Sequence, residues 1–296
     1  MTGTGSRPSI SQLDTIVHRL GKAGRDRFER IFHLSTTCGR LVPPADMAPW
    51  LRDHFGSVDA VREQRIVKVT NRVTLEGALF NELRASRPIE APPAGDRDLE
   101  EVIRASKQGP FCRPTKGTPE DTFGRVQGSE SITASNVAKY DGWHGVIIFD
   151  EHHPLRFDAG QVADYVDTGQ AWALRVHSAD PEACYPVFIW NCLWRSGASI
   201  LHGHAQMTVT RGMPYARLEN QRQAAERFRE AYGAEYFNEL VDTHRALGLA
   251  LDLGDAVILP SLTPFKEMET QVIAPAVSAG PVSYTHLTLP TTIKRG

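Results

Sequence analysis

Residues 199–210, SILHGHAQMTVT, place His202, His204 and Gln206 at every second position, with Leu201, Ala205, Met207 and Val209 between and after them. On a strand, alternate side chains share a face about 6–7 Å apart, so the two imidazoles and the amide turn one way and the apolar residues the other. Three uses fit such a face. It can simply meet solvent. Neutral imidazoles at alternate positions can converge on one metal ion. Or an imidazole nitrogen can attack phosphorus, so that a nucleotidyl-imidazole splits one phosphoryl transfer into two easier steps. The third use needs a histidine held neutral in one tautomer and donors for the phosphoryl oxygens. The preceding RSGAS, 195–199, supplies candidates. Gly197 would let backbone N–H groups approach a phosphate, and Ser199 adds a hydroxyl. Gln206 can donate its amide without competing as a base.

The elements that must position these residues follow from periodicity. The first sixty residues read as short helices, and strands begin near Arg65. A proline-rich connection at 87–98 precedes a short helix with Asp98 as its expected N-cap, and 109–128 has no usable period. The run 145–149 reads as a buried strand. Residues 158–177 read as a helix begun by Asp158, with Val162, Tyr165, Val166, Ala173 and Leu174 inward. Strands at 185–193 and 199–210 flank a turn, and two helices and two short strands follow. The expected class is α+β, with helices over 1–64 and mixed strands and helices from 65 onward.

With 296 residues, 41% hydrophobic, 23% charged and a net charge of −2, the composition is that of an ordinary globular chain. That balance gives no general attraction to nucleic acid or an anionic membrane. No apolar run approaches the ~20 residues of a bilayer span, and the start lacks a signal-peptide layout. Cys38, Cys112, Cys184 and Cys192 show no disulfide-framework spacing, so a reducing, cytoplasmic setting is expected. Residues 282–296 continue no earlier pattern, resemble translated adaptor sequence, and are expected to be non-native.

The segment NCLWRSGASILHGHAQ, 191–206, resembles the histidine-triad superfamily. Within it, the galactose-1-phosphate uridylyltransferase branch and the dinucleoside-tetraphosphate phosphorylases (ATP adenylyltransferases) carry His-x-His-x-Gln. The resemblance implies a histidine-triad-like antiparallel sheet with packed helices: beyond a helical extension at 1–64, a catalytic unit at 65–212 and helices opening a degenerate second repeat at 213–280. It implies His204 as nucleophile, Ser199 and Gln206 at the phosphate, and Asn191 and Gly197 on the nucleotide side. His202 would be a support or a zinc ligand. LRASRP implies Arg84 and Arg87 facing the nucleotide, and Asn136 falls at a nucleotide-contacting position. Cys112, His152 and His202 would be three of four structural zinc ligands, because Gly109 stands where the family has the first cysteine; Cys38 is a conceivable replacement. Two further departures are Gly203 in place of proline, expected to loosen the link between the histidines, and Leu193 in place of glycine, expected to reshape one wall. His144 and His153 read as strand-end or surface residues, His244 as a core residue, and Lys266 and Glu269 as exposed strand charges.

The expected function is nucleotidyl transfer through a covalent nucleotidyl-histidine, with a UDP-sugar and a sugar 1-phosphate as substrates. The alternatives are dinucleoside-tetraphosphate phosphorylase chemistry and, in another class, a non-catalytic nucleotide-binding protein. No cofactor is required for the chemistry. The expected partners are a nucleotide or nucleotide-sugar and a phosphorylated acceptor, with neither nucleic acid nor membrane, and a homodimer is compatible with the resemblance.

Overall fold

The structure is a computed structural model that describes residues 10–85, 99–266, 268–274 and 287–289. In chain order the elements are α1 (Leu13–Arg19), α2 (Lys22–Ile31), β1 (Phe32–Arg40), α3 (Ala48–Phe55), α4 (Val58–Arg62), β2 (Glu63–Asn71), β3 (Gly77–Phe80) and α5 (Glu82–Ala85). Then come α6 (Leu99–Ala105), α7 (Pro114–Gly117), β4 (Ser131–Ser135), β5 (Trp143–Phe149), α8 (Ala159–Ala179), β6 (Ala183–Ile189) and β7 (His204–Arg211). The last are α9 (Ala216–Tyr232), α10 (Tyr236–Ala246), β8 (Leu251–Asp252), β9 (Val257–Pro260), β10 (Thr270–Ile273) and β11 (Leu287–Leu289). Contacts divide the chain into two units, 1–92 with 220–296, and 93–219. Among the described residues, no helix is long and apolar enough to cross a membrane.

The first unit holds an antiparallel sheet in the order β1-β2-β3 and another in the order β11-β10-β9-β8. Phe28, Ile31, Val67, Val69, Leu240, Val241 and Leu259 share its core, and Asn71 Nδ2 donates to Tyr236 Oη at 2.7 Å. Residues 1–64, expected to be helical, include a nine-residue strand at 32–40, paired with β2 from Phe32↔Asn71 to Arg40↔Glu63. FHLSTTCGR buries only Phe32, so its period is too weak to announce a strand; the pairing comes from β2. The same pairing places β2 and β3 in this unit and not with the histidine strand. His244 is buried in this core, its ring nitrogens 2.8 and 3.1 Å from the carbonyls of Leu240 and Pro260. Glu269 is also buried and accepts from the Phe265 N–H, whereas its sequence context reads as an exposed strand charge.

The second unit is built on the antiparallel sheet β4-β5-β7-β6. β5 is central and covered on both faces, which explains its unbroken apolar run. Ile147 and Phe149 join Ala205, Met207 and Val209 under α8, while Val146 and Ile148 join Ile132 and Ala134 on the opposite face. α8 starts where its sequence signals: Asp158 accepts from the Gln161 N–H at 2.9 Å, and Gln161 Oε1 accepts from the Asp158 N–H at 3.0 Å. Its inward stripe is Tyr165, Thr168, Gly169, Trp172 and Val176. Val166 and Leu174, expected inward, are 43% and 62% exposed, since a helix has one stripe and Trp172 fixes which. Trp172 lies so close to β5 that a Cβ on Gly145 would stand 2.7 Å from its ring.

Candidate active site

His204 opens β7, opposite Ile148 of β5. Its Nδ1 lies 2.8 Å from the carbonyl oxygen of His202, an acceptor only, so Nδ1 carries the proton and Nε2 keeps the lone pair. Burial pushes the imidazole below its usual pKa, against the opposing effect of that hydrogen bond, which favours the neutral ring. A cavity of ≈ 230 Å³ opens on this face of the sheet, lined by His204, Gln206, Ser199 and Asn136 with Phe111 and Val146 as apolar walls. The Phe111 ring meets His204 edge-on at 5.1 Å. Gly117, Thr118 and Pro119 form another wall. Arg125 holds it from behind, donating to the carbonyls of Thr118 at 2.6 Å, Thr133 at 2.8 Å and Pro114 at 3.2 Å. The sequence reading missed Arg125, which lies in the stretch without a period.

The turn before β7 departs from expectation. Gly197 sits at φ 104, the left-handed region that favours glycine. Its N–H donates to the carbonyl of Trp194 at 3.0 Å, and the N–H groups of Ser196 and Ala198 both go to the Leu193 carbonyl. These amides are spent within the turn, so Gly197 shapes the approach to Ser199 and offers no phosphate donor of its own. Asn191 packs beside Gly197, 3.7 Å from where a Cβ would lie there. Asn191, Leu193 and Gly197 lie outside the lining of this cavity. Arg84 is exposed on α5 of the first unit. Arg87 lies outside the described residues.

His202 does not share the face of His204 and Gln206. It precedes the β7 ladder, so strand alternation does not bind it. Its ring turns instead to Cys112 and His152. Nε2 of His202 donates to the Phe149 carbonyl at 2.7 Å, and Nε2 of His152 donates to the Ile103 carbonyl at 2.9 Å. Both Nδ1 atoms therefore present lone pairs, 3.1 Å apart, and Cys112 Sγ lies 3.4 and 3.5 Å from them. Two lone pairs that close repel unless a proton or cation lies between them. Tetrahedral zinc with N and S ligands gives edges of about 3.3–3.6 Å. Cys112, His152 and His202 thus fit three positions of such an ion, with carbonyls orienting both imidazoles as metal-ligating histidines require. No fourth His, Cys, Asp or Glu joins them among the described residues. Cys38 lies on β1 of the first unit, where its thiol donates to Glu63.

Gly203 corrects another expectation. Its N–H donates to the His152 carbonyl at 3.0 Å and its carbonyl accepts from Phe149 N–H at 3.0 Å. A Cβ there would lie 2.9 Å from both the Glu151 carbonyl oxygen and the Phe149 ring. The glycine therefore locks the strand to the His152 turn, a bond that proline could not make. His153, read as a surface residue, is buried and meets Glu100 of α6 at 3.0 Å, tying the same turn to the helix that supplies the Ile103 carbonyl. His144 is likewise buried, with Nε2 2.9 Å from Gln206 Oε1. Its signal in the sequence is a polar residue at alternate spacing from Val146 and Ile148, which face the cavity side of β5.

No protein-family model matches the sequence, and no curated protein matches it. Solved structures do resemble it. An ADP-glucose phosphorylase from Arabidopsis thaliana, solved with bound ADP-glucose, superposes with a TM-score of 0.51 at 16% identity, over 71% of this chain and 68% of that one. A GalT-like protein from the same plant gives 0.47 at 16% identity, over 58% of this chain and 62% of that one. A HIT family hydrolase from Clostridium thermocellum gives 0.29 at 18% identity, over 35% and 90%. The chain has an α+β fold similar to that of the ADP-glucose phosphorylase.

Proposed function

We propose that the chain transfers a nucleotidyl group from a nucleotide phosphoanhydride to a phosphorylated acceptor, holding that group on His204 between two displacements. The observation that carries this reading is the state of His204: its Nδ1 proton is committed to the His202 carbonyl, and its ring lines a cavity with Ser199 and Gln206. In the first step Nε2 bonds to the α-phosphorus, the bridging P–O bond breaks, and its electron pair leaves with the departing phosphate. In the second, an acceptor phosphate oxygen bonds to phosphorus and the N–P bond breaks, restoring the neutral imidazole. Ser199 and Gln206 donate to the phosphoryl oxygens, and Asn136 faces the nucleoside part. Nothing else is asked of an external base, because the attacking nitrogen already bears a lone pair.

The leading donor class is a UDP-sugar with a sugar 1-phosphate as acceptor. An adenine donor is the second reading. It is favoured by Gly203, where uridylyltransferases have proline, and by the ADP-glucose held in the similarly folded phosphorylase. Zinc on Cys112, His152 and His202 would be structural, clamping the 110–112 turn and the 150–153 turn to the start of β7. The test is incubation with α-labelled UDP-glucose, ADP-glucose, ATP or diadenosine tetraphosphate, followed by assay for acid-labile label on protein. Label with wild type and none with His204→Ala is expected. Equal label in the variant would overturn the nucleophile, label from adenine donors alone would select the second reading, and tight nucleotide binding without any label would favour a binding protein.

A further inference from the structure

His144 receives a backbone N–H and therefore decides the state of Gln206. The Tyr140 N–H points at His144 Nδ1 at 3.3 Å, so Nδ1 is the acceptor nitrogen. In a neutral ring the proton is then on Nε2, which lies 2.9 Å from Gln206 Oε1 and donates to it. Burial lowers the His144 pKa, which agrees with the neutral ring. Once its oxygen is engaged, Gln206 has its NH2 left to turn toward the cavity. The 136–142 loop closes on the same histidine. The Asn136 N–H donates to the His144 carbonyl at 2.9 Å, and so does Lys139 Nζ at 3.0 Å. The Tyr140 ring covers the imidazole at 3.9 Å between centroids. Asn136 Oδ1 is taken by the Ala138 N–H at 3.0 Å. Its Nδ2 lies 3.1 Å from His144 Nε2, which, with its proton given to Gln206, has no lone pair to accept from it. Asn136, Val137 and Ala138 of this loop line the cavity together with Gln206.

We infer that His144 is a positioning residue: it fixes the side-chain amide of Gln206 with its NH2 toward the phosphoryl group and holds the 136–142 loop against the same cavity. This rests on the nucleotidyl-transfer reading for what occupies the cavity, but the orientation of Gln206 belongs to the free protein. A glutamine amide without such a partner is free to present its oxygen or its nitrogen to a phosphate, and an oxygen there repels.

Two measurements test it, on wild type, His144→Phe and His144→Gln. Gln places an amide nitrogen near the former Nε2 and can donate to Gln206 in the same way. First, the Gln206 side-chain amide resonances are followed by NMR in the free protein. They are expected to be distinct from those of exposed glutamines in wild type and His144→Gln, and to move to exposed values in His144→Phe. Resonances unchanged in a folded His144→Phe would overturn the inference, whether or not the protein turns out to be a nucleotidyltransferase. Second, uridine and adenosine 5′-monophosphates are compared with their nucleosides by calorimetry. His144→Phe is expected to lose about tenfold in affinity for the monophosphates, the scale of one hydrogen bond to a charged group. His144→Gln should regain most of that loss. A loss shared equally by nucleosides and monophosphates would show a merely structural role and sink the assignment. Failure of wild type to bind any nucleotide would sink the proposed function, leaving the NMR result to decide the role of His144.

Discussion

Replacing Gly203 by alanine or proline tests whether the glycine locks or loosens the histidine strand. A Cβ at 203 meets the Glu151 carbonyl oxygen and Phe149 Cδ2, each at 2.9 Å. One of these atoms is backbone and the other belongs to a ring stacked on Tyr165 at 3.6 Å, so neither gives way cheaply. Overpacking of this kind costs about 1–3 kcal/mol. Proline adds the loss of the Gly203 N–H donation to His152, worth about 0.5–1.5 kcal/mol. For a unit of this size each kcal/mol lowers Tm by roughly 3–5 °C. Gly203→Ala should therefore melt roughly 3–15 °C below wild type, and Gly203→Pro further still. Because the bond joins the His152 turn to the residue between His202 and His204, labelling by the nucleotide donor should slow more in the proline variant than in alanine. The assays are a thermal melt and single-turnover labelling. A proline variant that melts within a degree of wild type and labels at the same rate would refute the reasoning and restore the view that 203 is a permissive spacer.

Cys112→Ser should lower protein-bound zinc, measured by elemental analysis after dialysis, and remove any Tm drop that a chelator causes in wild type; wild type that carries no zinc in either state refutes the metal. Asp164→Asn tests a pH dependence. Burial pulls the Asp164 pKa up, but hydrogen bonds from Ser131 and Ser129 and the N–H groups of Ser129 and Glu130 outweigh it and leave the pKa lowered. A depressed folded pKa contributes stability that is present above the usual carboxylate range and lost as pH falls through the folded value. Wild type should therefore lose stability more steeply than the variant as pH drops below about 4; parallel denaturation curves across that range would contradict this. Gly145→Ala should cost about 1–3 kcal/mol in chemical denaturation, because its Cβ would stand 2.7 Å from the buried Trp172 ring; no change in midpoint would show that the ring can shift.

Much of this protein is legible in its residues. Strand alternation places Ala205 and Met207 in the core and His204 with Gln206 opposite, because the period of two is local geometry. Asp158 and Gln161 announce α8 by capping chemistry that needs no tertiary partner. The spacing of Asn191, Ser199, His204 and Gln206 matches the histidine-triad motif, and the same resemblance names Cys112, His152 and His202, which the structure brings together. What the chain order cannot convey is how segments far apart meet. β1 became a strand only by pairing with β2. His202 left the face of His204 because it stands outside the ladder and finds Cys112 and His152. Gly197, expected to let backbone N–H groups approach a phosphate, lies in a turn that uses the N–H groups of Ser196, Gly197 and Ala198 itself. Gly203 gained its role from the Glu151 carbonyl and the Phe149 ring, and His144 from a loop four to eight residues before it and a glutamine on the next strand. In each case the deciding quantity is a distance across the fold, and that distance is set by packing between elements and not by the residues on either side.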